Sequence, residues 1–407
     1  MGLQSNGFLN YSARESLMPQ EEKLETRKWG KSLKIGLPKE SSFQERRISL
    51  IPAAVKTLVD NGHEVVVERG AGEAAHFADR DFAESGANLV ATAEEVFMTD
   101  IILKVAPISM SEIQFLRGNQ ILLSALHLGS HSKEYFKKLV LKKMTAIAFE
   151  SIKDKTNAAP VVRSISEIAG TTSIHIASEY LSHPEYGTGR MLGGFTGIAP
   201  SEVLILGAGT VGEYAARTAL GLGAFVKVFD NSIYKLRQLQ SRLHQNIYTS
   251  TIQTSELIKS LKTADVLICA VHSKHQRAPI LVTEEMVAQM KEGAIIVDVS
   301  IDQGGCVETS HITTHSDPVF RKHGVTHYCV PNIASRVPQT ASVAISNFFA
   351  PVLLKAGELG GLDKLWEADY FFRQGVYLFN GILVNKFISE YYDLPFQDID
   401  LLMAAFK

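Results

Sequence analysis

Val203-Leu204-Ile205-Leu206-Gly207-Ala208-Gly209-Thr210-Val211-Gly212 opens the stretch that decides the fold, and Phe225-Val226-Lys227-Val228-Phe229-Asp230 closes it. An apolar run leads into Gly-x-Gly-x-x-Gly, a helical pattern follows from Glu213 to Leu220, and a second apolar run ends on an acid. Strand, glycine turn, helix, strand and carboxylate, in that order, are what a dinucleotide site demands. Gly207 permits the tight turn, Gly209 lets the backbone approach a pyrophosphate, and Gly212 lets the helix pack closely on the strand. The helix N-terminus then offers unpaired N–H groups and a positive dipole end to phosphate. Asp230, 18 residues beyond Gly212, can accept hydrogen bonds from both ribose hydroxyls. Its charge repels a 2′-phosphate, so the cofactor read from the sequence is NAD rather than NADP.

Outward from this stretch, apolar runs alternate with helical patterns. Runs at Leu33 to Leu37, Val65 to Val67, Ile101 to Val105, Ile121 to Leu123 and Ile147 to Phe149 precede it. Helical patterns such as Pro52 to Asp60 and Ser132 to Lys143 lie between them, and Val266 to Ile268, Ile295 to Val297 and Tyr328 to Val330 follow. Such alternation argues parallel sheets covered by helices on both faces. The expected fold class is α/β, with two doubly wound parallel-sheet domains, one of them a Rossmann nucleotide domain. Ile165, Ile168, Ile174, Ala177 and Leu181 recur at helical spacing and predict a long helix joining the two. The expected division is a mobile polar arm over 1–31, a substrate domain from 32–160 plus 339–407, and the nucleotide domain over 161–338. The final stretch reads as mostly helical and is expected to return to the first domain.

With 407 residues, 45% of them hydrophobic, the chain can bury two cores. Its 41 basic and 43 acidic residues leave a net charge of −2, which excludes the electrostatic footprint of a nucleic-acid binder. No apolar run approaches a membrane span and no basic-then-apolar signal opens the chain, so a soluble, cytoplasmic protein without a membrane partner is expected. Cys269, Cys306 and Cys329 are odd in number and scattered. They read as reduced thiols rather than a disulfide framework or a zinc cluster, and no metal is expected.

In open α/β sheets, ligands bind outside the carboxyl ends of the strands. Lys104 ends the run Ile101 to Leu103, His127 follows Ile121 to Leu126, Asp302 follows Ile295 to Ile301, and Arg47 falls in the loop after the first strand. Each is expected to face a cleft between the domains. Arg47 offers a planar fork for a carboxylate, and Lys104 a compact cation for a carboxylate or carbonyl oxygen. His127 suits proton exchange near neutrality. Asp302, beside Gln303-Gly304-Gly305, could stabilise an iminium cation or take a proton from ammonia or water. The competing readings are solvated charges for Arg47 and Lys104 and a structural histidine for His127. Asp298 competes with Asp302, although its place inside an apolar run favours a structural role.

Several segments, in order, carry a resemblance: Gly36-Leu37-Pro38-Lys39-Glu40, Arg47-Ile48-Ser49-Leu50-Ile51-Pro52, Gly62-His63-Glu64-Val65, Leu103-Lys104-Val105, Leu126-His127-Leu128, Ser166-Glu167-Ile168-Ala169-Gly170 and Val297-Asp298-Val299-Ser300-Ile301-Asp302-Gln303-Gly304-Gly305-Cys306. Over roughly residues 33 to 350 the chain resembles the alanine dehydrogenases, in the family that includes the NAD-binding subunit of proton-pumping transhydrogenase. The resemblance implies that Arg47 and Lys104 bind the pyruvate carboxylate and carbonyl, that His127 and Asp302 are catalytic, and that Asn332 lies near nicotinamide and substrate. It assigns Ser166, Asp230 and Lys235 to NAD contacts. The implied reaction is reversible oxidative deamination of L-alanine to pyruvate and ammonia, with hydride transfer to NAD, in a homo-oligomer such as a hexamer.

The chain also departs from the family. Val105-Ala106-Pro107 stands where the family usually places a Lys-Glu pair before the proline, and the loop His272-Ser273-Lys274-His275-Gln276-Arg277 is unusually basic. The N-terminal arm and the ending from Phe396 to Leu402 depart as well. The alternatives are a relative acting on another amino or keto acid of lysine or opine type, a soluble transhydrogenase subunit, and an NAD-binding protein without turnover.

Overall fold

The computed structural model describes residues 30–405 except 43, 128–130 and 274–276. Residues 1–29 of the expected arm lie outside the described residues, as does the middle of the basic loop. The first sheet begins with β1 (Lys34–Leu37), β2 (Glu64–Glu68), β3 (Asn88–Val90), β4 (Ile101–Leu103), β5 (Ile121–Ser124) and β6 (Thr145–Ala148). The second holds β7 (Glu202–Leu206), β8 (Phe225–Phe229), β9 (Tyr248–Ser250), β10 (Val266–Cys269), β11 (Ile295–Asp298), β12 (Val319–Lys322) and β13 (Val325–Tyr328). Two late strands, β14 (Val376–Phe379) and β15 (Ile382–Leu383), rejoin the first sheet.

Both sheets wind alike. The parallel strands run β3-β2-β1-β4-β5-β6 in the first and β9-β8-β7-β10-β11-β13 in the second, so each order reverses beside its first strand. That reversal opens a crevice at the carboxyl ends, between β1 and β4 in one sheet and between β7 and β10 in the other. Helices cover both faces, which is why the central strands β7, β10 and β11 are unbroken apolar runs buried almost throughout. Antiparallel β12 closes one edge of the second sheet.

The long helix spans Pro160–Ser182, with proline at its first turn, where a missing N–H costs nothing. It lies on the helix Thr210–Gly221 that follows the glycine turn. The approach is close: a Cβ at Gly170 would stand 2.9 Å from Tyr214 Cβ.

The C-terminal stretch is mostly helical, as expected, and adds one hairpin that the sequence reading did not place. After the helix Pro338–Leu359 the chain forms the hairpin β14–β15, and β14 pairs antiparallel with β6. The signal was present: Val376-Tyr377-Leu378-Phe379 and Ile382-Leu383 flank Asn380-Gly381, both with positive φ (47° and 79°), as a two-residue hairpin turn requires. The helix Pro338–Leu359 also qualifies the expectation about apolar runs. Within its 22 residues an 18-residue window reaches a mean hydropathy of 1.2, long and apolar enough to cross a membrane by length and composition. Here Ile345, Phe349, Leu353 and Leu354 pack into the core of the first domain beside Leu37, Leu50 and Val55.

Candidate active site at the meeting of the two sheets

The glycine turn follows β7 at the reversal of the second sheet. Gly207 has φ 106° and donates its N–H to the Phe229 carbonyl at 2.7 Å. A Cβ at Gly212 would collide with the Gly207 carbonyl oxygen, whereas one at Gly209 would meet nothing within 4 Å. The residues therefore fit a dinucleotide: one glycine is needed for packing, and another faces open space at the start of a helix. Asp230, at the end of β8, accepts the Ala208 N–H at 2.8 Å and the Ser232 N–H at 2.7 Å, which fixes the carboxylate beside the turn. Lys235 Nζ stands 3.9 Å from the same carboxylate. Ser166 lies one helical turn before Gly170, on the helix that Val211 and Tyr214 press against. Gly212→Ala should cost about 1–3 kcal/mol through overpacking and weaken NADH binding at least ~10-fold; isothermal titration beside a thermal melt checks both, and unchanged affinity would contradict the fit.

Arg47 and Arg46 separate clearly: Arg46 is exposed and Arg47 is buried. Glu45 grips Arg47 through two parallel bonds, Nε to Oε1 at 2.8 Å and Nη2 to Oε2 at 2.7 Å. The same carboxylate reaches the other domain. Asn332 Nδ2 donates to it at 2.8 Å and Ser335 Oγ at 2.9 Å. Burial alone pushes the Glu45 carboxyl up, but the Arg47 charge and the hydrogen bonds from Arg47 and Ser335 outweigh it and hold the group at about 2. Glu45 is thus a clasp between domains.

Lys104 sits just after β4, held between two carboxylates. It is fully buried, with its ammonium 2.7 Å from Glu112 and 3.4 Å from Glu40. Burial works against its charge, and the two carboxylates more than restore it. Position after a strand fixed where the backbone lies; two carboxylates from neighbouring turns decided where the ammonium went. Glu40 also accepts the Val105 N–H at 2.6 Å and the Ala106 N–H at 3.3 Å, the segment that departs from the family pattern. Burial pushes the Glu40 carboxyl up to about 7 against the pull of Lys104, and the nearby charge of Glu45 adds to the rise.

His127 is exposed, with φ 45°, and its N–H and that of Leu126 both donate to Glu150 Oε1, at 3.0 and 2.8 Å. A histidine in this left-handed conformation needs such a hold. Asp302 sits in a short 3-10 turn after β11. Its Oδ1 accepts the N–H of Asn332, itself left-handed at φ 54°, at 2.8 Å. Burial raises the Asp302 carboxyl above its ordinary range, while the Asn332 bond and the charges of His127 and Arg47 draw it back. The structure therefore gathers Arg47, His127, Asp302 and Asn332, with Lys104 linked to them through Glu40. The basic loop is tied to the same turn, through the Ser273 N–H to Gln303 Oε1 at 2.9 Å.

Sequence reasoning missed Glu40, Glu45, Glu112, Glu150 and Ser335. Glu45 had a signal, since residues two apart on an extended segment share a face and Arg47 was already singled out. Ser335 had none.

Two doubly wound α/β domains meeting at their strand ends, one carrying a glycine turn and a fixed acid, define the class of two-domain dehydrogenases with a Rossmann nucleotide domain. The family description "Alanine dehydrogenase/PNT, N-terminal domain" matches residues 36–169, and "Alanine dehydrogenase/PNT, C-terminal domain" matches 173–386. The chain belongs to the alanine dehydrogenase/PNT family. An alanine dehydrogenase of Mycolicibacterium smegmatis is 38% identical over 375 residues, covering 91% of this chain and 100% of the relative. One from Bacillus subtilis is 38% identical over 357 residues, 88% of this chain and 94% of its own. A solved L-alanine dehydrogenase superposes with TM-score 0.82 at 37% identity, covering 88% of this chain and 99% of that one. A transhydrogenase from Sinorhizobium meliloti shares the fold, with TM-score 0.74 at 24% identity over 86% of this chain and 99% of its own.

Proposed function

We propose that this protein is an NAD-dependent alanine dehydrogenase, converting pyruvate, ammonium, NADH and a proton to L-alanine, NAD and water, and the reverse. The observation that carries this reading is the meeting of Arg47 and His127 from one domain with Asp302 and Asn332 from the other, electrostatically coupled at the strand ends. When bound at the glycine turn, NADH supplies the hydride.

Arg47 binds the keto-acid carboxylate. Glu45 occupies the Nε–Nη2 edge of its fork, which leaves the Nη1 side for a second carboxylate. His127 exchanges a proton with the substrate oxygen as ammonia adds and water leaves. Asp302, its carboxyl raised above the ordinary range, takes the proton that ammonia releases on attack and faces the iminium cation that follows. Asn332 holds Asp302 in place through its N–H. Lys104, kept charged and held by Glu40 and Glu112, supplies a cation for the substrate carboxylate or carbonyl oxygen. Ser166, Asp230 and Lys235 hold the cofactor, and Asp230 favours NAD over NADP by repelling a 2′-phosphate.

The test is NADH absorbance across a panel of keto acids and amines. Turnover should require pyruvate and ammonium together. Turnover with another keto acid or with lysine, and none with pyruvate, would replace the substrate; NAD binding without turnover on the whole panel would replace the function.

A further inference from the structure

We propose that Cys269, Asp298 and Cys306 form a buried binding site for a thiophilic divalent cation of the zinc type, set behind the turn that presents Asp302. The cysteines are scattered in the chain, but the strand order reunites them. Cys269 ends β10 and Asp298 ends β11, and the two are direct partners in the parallel register. Cys306 returns after the Asp302 turn, and its N–H donates to Asp298 Oδ2 at 3.1 Å. The two sulfurs and a carboxylate oxygen lie within 4.8 Å of one another. A tetrahedral zinc ion, with Zn–S bonds of about 2.3 Å and Zn–O bonds of about 2.0–2.2 Å, sets its ligand atoms roughly 3.3–3.8 Å apart. The spacing on the page is compatible with those edges.

A second observation points the same way. Asp298 is 2% exposed, and its Oδ1 has no hydrogen-bond partner. The buried Ser310 hydroxyl is the polar side chain beside it. An unpartnered carboxylate oxygen in a low-dielectric interior is costly, and a cation is what would satisfy it. Burial pushes the Asp298 carboxyl up to about 6 and the Cys269 thiol well above its usual range. Cys329, fully buried after β13, lies near enough to Asp298 and Cys306 for their charges to act on it but outside the ligand group, and Ser310 can supply the fourth donor.

Binding is an exchange without redox change. Each coordinating thiol gives its proton to solvent as its sulfur–metal bond forms, so two protons are released. The site is tied to the catalytic turn. Only Gln303-Gly304-Gly305 separate Asp302 from Cys306, and Gly305 is pressed so close to Asp298 that a Cβ there would stand 2.8 Å from Oδ2. A bound cation would pin the far end of that turn.

The full-length, reduced, metal-free protein is titrated with cobalt(II) and then with zinc. The expected result is one cobalt per chain, with a thiolate-to-cobalt charge-transfer band and the intense visible bands of a tetrahedral complex, displaced by one equivalent of zinc. Cys269→Ala should remove the charge-transfer band or weaken zinc binding ~100-fold or more, and Asp298→Asn should weaken it ~10-fold while keeping the band. Absence of a thiolate–cobalt band in the wild-type protein would overturn the proposal even if neither variant folds. Undiminished zinc binding in Cys269→Ala would assign the metal to surface side chains and overturn it as well.

Discussion

Asp302→Asn should lower turnover of pyruvate and ammonium by ~10³-fold or more while NADH affinity stays within about twofold. The amide keeps the shape of the carboxylate and still accepts the Asn332 N–H, so the turn after β11 is preserved. What it loses is a titratable group and a negative charge beside His127 and Arg47. Because burial raises the Asp302 carboxyl above the ordinary range, the limb of the pH–rate profile that it contributes should lie above that range and vanish in the variant. Steady-state kinetics across pH, with NADH binding measured separately, checks both points. A variant with near-normal turnover would remove Asp302 from the chemistry.

Glu45→Gln has the largest expected effect on stability. Glu45 joins Arg47 to Asn332 and Ser335 across the two domains, and the amide would leave a buried guanidinium without its counter-charge. Such a loss costs about 3–5 kcal/mol. The pH dependence has a definite sign. The folded-state value of about 2 is depressed from 4.5, so Glu45 contributes stability that is complete above pH 4.5 and is lost as pH falls towards 2. The contribution is on the order of 3 kcal/mol. Glu45→Gln should therefore melt well below the wild type at neutral pH, lose this acid limb, and raise KM for pyruvate at least ~10-fold through a misplaced Arg47. Wild-type melting temperature and KM in the variant would contradict the clasp.

The glycine turn and Asp230 were legible in the sequence because their geometry is local: strand, turn and helix fix the relation of Gly207, Gly209 and Gly212 within one βα unit. The strand-end rule reached Arg47, Lys104, His127 and Asp302, since the backbone must emerge from a parallel sheet at its carboxyl edge, while Asn332 was reached only through the family resemblance. Direction of a side chain is a different matter. Lys104 leaves the same edge, and its ammonium is held by Glu40 and Glu112, which arrive from two other turns, because a buried ammonium goes to carboxylates. Glu45 was overlooked because its partners Asn332 and Ser335 come from the other domain, nearly three hundred positions away. The cysteines teach the same lesson, for Cys269 and Cys306 become neighbours only once β10 and β11 pair. The Asn380-Gly381 hairpin was local and readable, and an expectation of helix covered it.

The central claim is that the meeting of the two sheets joins ammonia to pyruvate at the expense of NADH. The most direct measurement supplies ¹⁵N-ammonium, pyruvate and NADH to the purified protein and follows nitrogen by NMR and NADH by absorbance in the same tube. The account predicts ¹⁵N-labelled L-alanine formed mole for mole with NADH consumed, and no NADH loss without ammonium. NADH oxidation that leaves the label in ammonium, or a labelled product other than L-alanine, would contradict it.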